Sequence, residues 1–243
     1  MGVRTSDRAP LPRSSVPRAV LCAVHHVQQF ICWFPRRLHR VLAQLRRGLR
    51  GGNPLHWWSD FVFLCADLLG VFDAYDGLSQ WLKRRTLRPL DERETALARS
   101  VFGPTLPLRR VRLDARACIA CRNRHLCYVS FHTINSWGRM TDATLIHELV
   151  HVWQYRTHGA AYIPRALRAY HSTAGYNYGG VGALLRARAA GQTLLDFNYE
   201  QQADIIADAF RLRTGRQPRW GNATPTDLPI YARYVDDLRG MGE

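Results

Sequence analysis

Two histidines and a glutamate stand at metal-binding spacing in the run Leu145-Ile146-His147-Glu148-Leu149-Val150-His151-Val152-Trp153-Gln154-Tyr155. On a helix, residues four apart share one face, one turn apart, so both imidazoles can reach a single ion. Zinc takes an imidazole nitrogen at about 2.0–2.1 Å, and His-Glu-x-x-His is the spacing that supplies two such ligands. Glu148 stays on roughly the same side, where it can take a proton from water that the ion has made acidic. Glutamate is scarce: Glu92, Glu94, Glu148, Glu200 and Glu243 are the full set, which lowers the odds that the pattern is accidental.

The surrounding residues predict the helix that must carry the motif. Thr141 or Asp142 can cap its start, and Gly159 stands where a terminating glycine belongs. Leu145, Ile146, Leu149, Val150 and Trp153 form an apolar stripe, with Thr144, His147, Glu148, His151 and Tyr155 on the other face. Catalytic zinc usually takes three protein ligands. A third histidine six residues after His151 is absent, because position 157 is Thr. After His151 the remaining glutamates are Glu200 and Glu243, so Glu200 is the candidate ligand, with Asp196, Asp204 and Asp208 as alternatives. Asn198 with Gln201 three residues on predicts a capped helix that Gly215 can end. On it, Glu200, Ala203, Asp204 and Ala207 share a face. Asp204 can accept the N–H of a ligating histidine from behind.

The words around these residues resemble a known group. Ala98-Arg99-Ser100-Val101-Phe102-Gly103, Arg110-Val111-Arg112, the His147–His151 helix and Tyr199-Glu200-Gln201-Gln202-Ala203 are similar to the gluzincin-type zincin-like domain of bacterial Vgr-related and Rhs-associated secretion proteins. The resemblance covers roughly residues 88–213. It implies a helix-rich α+β zincin-like fold with a small edge sheet and two metal-bearing helices. It also implies Zn²⁺ at His147, His151 and Glu200, with Glu148 as catalytic base in hydrolysis of a polypeptide. A zinc-bound module of a secretion system without turnover is the alternative, and Glu148, which a purely structural site does not need, argues for catalysis.

Composition bounds the rest. The 243 residues carry a net charge of +15 and are 47% hydrophobic, ample for a core. Such a charge invites a nucleic-acid reading. Lys83 is the sole lysine, however, so the basicity reflects an arginine bias, and no nucleic-acid motif accompanies it. No uncharged apolar run reaches the roughly 18 residues of a membrane span. Residues 19–34 are fairly apolar, but His25, His26, Gln28 and Gln29 interrupt them and no clean cleavage site follows. The expected location is the cytoplasm of a producing bacterium, or export by a dedicated secretion system.

Organisation follows from the breaks. Residues 1–52 read as a basic extension, disordered over 1–18 and helical over 19–34 and 36–49, with Pro35 between and Gly51-Gly52-Asn53-Pro54 after. Leu38, Val41, Leu42, Leu45 and Leu49 form one side of the second helix, which can pack on its own domain, lie on a membrane surface or meet a secretion-system partner. Residues 53–243 form the main domain. In it, 57–72 reads as one packed apolar helix, 90–100 as a helix capped by Asp91, and 227–238 as a last surface helix. Strands are expected at Arg109–Leu113 and Tyr128–His132, the latter edging the cleft with free backbone groups that can pair with an extended substrate. His171, Tyr176 and Tyr178 are candidate oxyanion donors. Cys118, Cys121, His125 and Cys127 can make a second, structural zinc site, a local disulfide or a hairpin of unlinked thiols.

Overall fold

The computed structural model describes residues 18–49, 51, 53–118, 121–124 and 126–241. By compactness the chain falls into two units, Met1–Arg36 and Arg37–Glu243. Helix α1 (Arg18–Gly48) runs through Pro35 instead of stopping before it. Proline removes one hydrogen bond and crowds the preceding turn. The packing of Arg37, Val41 and Gln44 just beyond it holds the helical phase.

That packing inverts the amphipathic expectation. In α1, Leu38, Leu42 and Leu45 are exposed, as is Leu49 just past its end, while Arg37 and Gln44 are buried beside Val41. The cause lies in the elements they meet, α2 (Pro54–Leu68) and α3 (Val71–Leu82). Arg37 pairs with Asp73 at 2.6 Å and with Asp67 at 3.5 Å. Gln44 donates to the Trp57 carbonyl at 3.1 Å, and the Trp57 indole donates back to the Gln44 carbonyl at 2.7 Å. The expected single helix over 57–72 is two helices, because Gly70 turns left-handed (φ 74°) between them. Asp60 and Asp67 face inward, where arginines neutralise them.

The main body alternates helices with a small sheet. Strand β1 (Leu87–Pro89) leads into α4 (Glu92–Phe102), which Asp91 and Glu94 cap reciprocally as expected. Strand β2 (Arg112–Asp114) follows a 3₁₀ turn at Leu108–Arg110, so only the end of the expected strand at Arg109–Leu113 is extended. A short helix α5 (Cys121–Arg124) precedes β3 (Tyr128–Ser130) and β4 (Thr133–Asn135). The order is β1-β2-β4-β3, with β2 and β4 parallel and the other pairs antiparallel. The expected strand Tyr128–His132 therefore ends early and turns back at Phe131, a non-glycine residue with φ 58°.

Five helices complete the chain: α6 (Asp142–His158), α7 (Tyr162–Tyr170), α8 (Gly180–Ala189), α9 (Tyr199–Arg213) and α10 (Leu228–Gly240). Helix α6 is buried without interruption from Leu145 to Tyr155, and α9 from Gln202 to Phe210. Their apolar faces share one core, in which Ile146, Leu149 and Trp153 join Ile205, Ile206 and Phe210. Helix α10 is no mere surface element, since Tyr231, Tyr234 and Leu238 are wholly buried in that core. The described fold is thus α+β, helix-rich with a small mixed sheet, and among the described residues no helix is long and apolar enough to cross a membrane.

Candidate metal centre

Local sequence sets the two helices that carry the site. The Thr141 hydroxyl caps α6 by accepting from the Thr144 N–H, and Gly159 ends it with φ 69°. Asn198 and Gln201 cap α9 reciprocally, and Gly215, with φ 71°, follows its end. Ala203 and Ala207 are fully buried between the two helices, small enough to let the backbones approach.

This packing gathers His147, His151 and Glu200 into a group able to hold a metal ion, their ligand atoms within 4.8 Å of one another. His147 Nε2 lies 3.3 Å and His151 Nε2 3.4 Å from Glu200 Oε2. The opposite nitrogens are already engaged. His147 Nδ1 meets Asp204 Oδ1 at 2.8 Å, and His151 Nδ1 meets Gln154 Oε1 at 2.8 Å. A carboxylate and an amide oxygen can only accept, so each Nδ1 donates. In the neutral imidazoles the two Nε2 lone pairs then point at a carboxylate oxygen. Three acceptors converging in a buried place would be relieved by a cation between them. Glu200 Oε2 accordingly has no hydrogen-bond partner, the kind of orphan that an ion explains.

The electrostatics agree. Burial alone would lower the pKa of His147, but the carboxylates of Asp204 and Glu200 beside it outweigh that and raise the value to about 10. Without metal, the cluster draws in a proton in its place. Glu200 is held well below the usual carboxylate range, its burial overcome by the two histidines. Glu148 is shifted upward, chiefly by burial, and its Oε2 also lacks a partner.

Further residues brace the ligands. Gln154 donates to the Tyr199 carbonyl at 2.8 Å and to Gln202 Oε1 at 3.0 Å, which fixes its oxygen on His151. Asp204 Oδ2 accepts from the Trp220 indole at 2.6 Å and from Arg219 at 3.2 Å. Asp208 holds that loop by accepting the Arg219 and Trp220 backbone N–H groups at 2.6 and 3.2 Å. The sequence did carry a signal for Gln154, one turn after His151 on the same helix. It carried none for Arg219 and Trp220, which arrive from a loop.

The other candidates separate. Tyr176 lines the cavity beside the motif, its ring 5.7 Å from that of His147 and 4.8 Å below the Arg219 guanidinium. Tyr178 is instead spent in the core, donating to Asp208 at 2.7 Å and meeting Tyr231 at 3.0 Å. His171 caps the end of α7 and is exposed. Asp196 caps a 3₁₀ turn through Thr193. Among the described residues, Cys118, Cys121 and Cys127 are unlinked thiols that do not converge on a metal-binding arrangement: Cys118 is exposed and Cys121 buried. His125 lies outside the described residues.

Half of the chain has a known counterpart. A stretch of 135 residues, 51% of this chain, is 30% identical to the type VI secretion system spike protein VgrG2b of Pseudomonas aeruginosa. The chain is thus similar to part of a secretion spike protein. It spans only 13% of that protein's length. No family model and no solved structure matches it.

Proposed function

We propose that this chain is a zinc-dependent metallopeptidase-like hydrolase. The observation that carries the reading is the spacing of the ligand atoms. A tetrahedral ion with bonds of about 2.0–2.1 Å separates its ligands by roughly 3.3–3.4 Å. The Nε2 atoms of His147 and His151 stand 3.3 and 3.4 Å from Glu200 Oε2. The donor set of two imidazoles and one carboxylate suits zinc with a place left open.

When bound, zinc polarises a carbonyl and lowers the pKa of water. The chain's own residues do the rest. Glu148, buried beside both ligating histidines and raised in pKa, takes the proton of the attacking water and returns it to the leaving amine. Tyr176 supplies a hydroxyl at the cavity floor. Burial, with Glu200 and Glu148 nearby, keeps that hydroxyl protonated, as a hydrogen-bond donor to the developing oxyanion must be. Asp204 and Gln154 hold the imidazoles in the tautomer that presents Nε2.

A second reading is favoured by the relative's name, that of a secretion spike protein: a zinc-bound, secretion-associated module without turnover. Glu148→Gln separates the two. The metallopeptidase reading expects retained zinc and abolished peptide cleavage. If wild type cleaves no peptide that the variant fails to cleave, the structural reading stands in its place.

A further inference from the structure

The cavity beside the metal ligands has walls that suit a single class of occupant. It measures about 560 Å³. One wall comes from α3 and β3, with Phe72 and Phe131; the other comes from α7, with Ile163, Ala166 and Leu167. The charged groups lining it are the metal-site residues and Glu148 themselves. Among the described residues, none of the lysines and arginines that give the chain its +15 charge lines this space. Its mouth is rimmed by apolar side chains that stand in solvent: Val71, Tyr75, Leu167 and Tyr170 are 51%, 52%, 55% and 40% exposed. A rim of this kind gains by being covered.

The far end is closed by one hydroxyl. Tyr162 accepts from the Phe131 N–H at 3.2 Å and donates to the Val129 carbonyl at 2.8 Å. Residues two apart on a strand turn their backbone groups to the same side. Among the described residues β3 has a partner only in β4, so the Val129 backbone groups lie on its free edge, with the Phe131 N–H following in the turn. They are the groups an added strand would use. The Tyr162 side chain therefore occupies the edge of β3 at Val129 and the turn at Phe131.

We propose that this cavity is the specificity pocket for a bulky apolar side chain flanking the cleaved bond, and that Tyr162 stops substrate pairing at Val129, turning the chain down into the pocket. The proposal rests on the metallopeptidase reading and adds the substrate class: an extended polypeptide with a leucine-, methionine- or phenylalanine-sized residue at the site. Acidic peptides, which the net charge would attract, are not selected by the cleft.

The test reads binding first. Zinc-loaded full-length Glu148→Gln is titrated with peptides identical but for one central residue: Phe, Leu, Ala, Asp or Lys. Burying a large apolar side chain in place of Ala is worth on the order of tenfold or more in affinity. Phe and Leu peptides are expected to bind at least that much tighter than Ala, with Asp and Lys weakest. Leu167→Asp, at an exposed position that tolerates the change, is expected to abolish the Phe preference and favour Lys, with zinc content unchanged. Tyr162→Phe keeps the apolar preference but frees the edge. Peptides lengthened beyond the Val129 position are expected to gain affinity in that variant and not in its parent. Equal affinity across the five peptides, no binding of any, or an unchanged preference in Leu167→Asp overturns the pocket. Identical length dependence with and without the Tyr162 hydroxyl overturns the stop. Cleavage by wild type then separates the layers. Glu148-dependent cleavage without regard to the apolar residue sinks the pocket alone. Ordered binding with no such cleavage sinks the peptidase reading alone.

Discussion

Two histidines of α6 sit in opposite company. Near its middle, His147 sits against Asp204 and Glu200, and its pKa rises to about 10. At its last turn, His158 is shut away with Arg165, Arg40 and Arg47 as its charged neighbours, and burial brings its pKa down to about 3. Its Nε2 is buried without a hydrogen-bond partner. Eleven residues of one helix thus separate an imidazole that draws in cations from one that refuses even a proton. Burial acts the same way on both, so the neighbouring carboxylates decide which becomes a ligand. On this helix the carboxylates that reach His147 from α9 are what suit it to a cation.

The strongest way to break that contrast is to remove the ligands. His147→Ala with His151→Ala is expected to abolish binding of about one zinc per chain, measured by elemental analysis. Replacing Cys118, Cys121 and Cys127 by Ser is expected to leave stoichiometry unchanged; loss there would restore a second site. Next comes Glu200→Ala, which removes the anionic ligand. Its loss of zinc affinity in a chelator competition is expected to exceed that of Asp204→Ala, and the reverse ranking would exchange the roles of the two carboxylates. Asp204→Ala and Gln154→Ala are expected to cost about 10–100-fold, with the neutral Gln154 at the lower end.

Proton linkage sharpens the contrast further. Metal must displace the proton that Asp204 and Glu200 hold on His147, so apparent zinc affinity is expected to climb with pH from neutrality towards about 10. Calorimetry in buffers of different ionisation enthalpy should register proton release. No release would mean that the metal-free cluster is already deprotonated.

The smallest effect belongs to His158. Unfolded, its imidazole binds a proton near 6.5; folded, only near about 3. Between those values the unfolded chain holds more protons, so the contribution to stability is present above 6.5 and is lost as pH falls towards about 3. His158→Gln is expected to flatten the acid side of the thermal-midpoint profile. An unaltered profile would show that other groups govern it.

The helix pair was legible because its signals are local. The spacing of His147 and His151, the Asn198–Gln201 cap and the single turn between Glu200 and Asp204 are all read within one helix. What stayed hidden depends on partners far along the chain. Arg37 and Gln44 point inward because Asp67, Asp73 and Trp57 await them, a reversal that the leucine periodicity of α1 could not announce. Asp60 is buried against Arg165 and Arg168, more than a hundred residues on. The turn between β3 and β4 escaped because it uses phenylalanine where glycine or asparagine is the usual mark.

That phenylalanine has a wider consequence. A left-handed backbone at a bulky residue costs of order 1–3 kcal/mol. The same residue supplies a wall of the cavity and packs its ring 5.0 Å from that of Tyr155. Phe131→Gly would relieve that backbone but delete a buried ring, a loss of roughly 3–5 kcal/mol or more, so it would destabilise the hairpin as well as hollow the cleft. One aromatic ring at position 131 thus holds a core together and shapes a cavity wall, and its packing outweighs the less comfortable backbone beneath it.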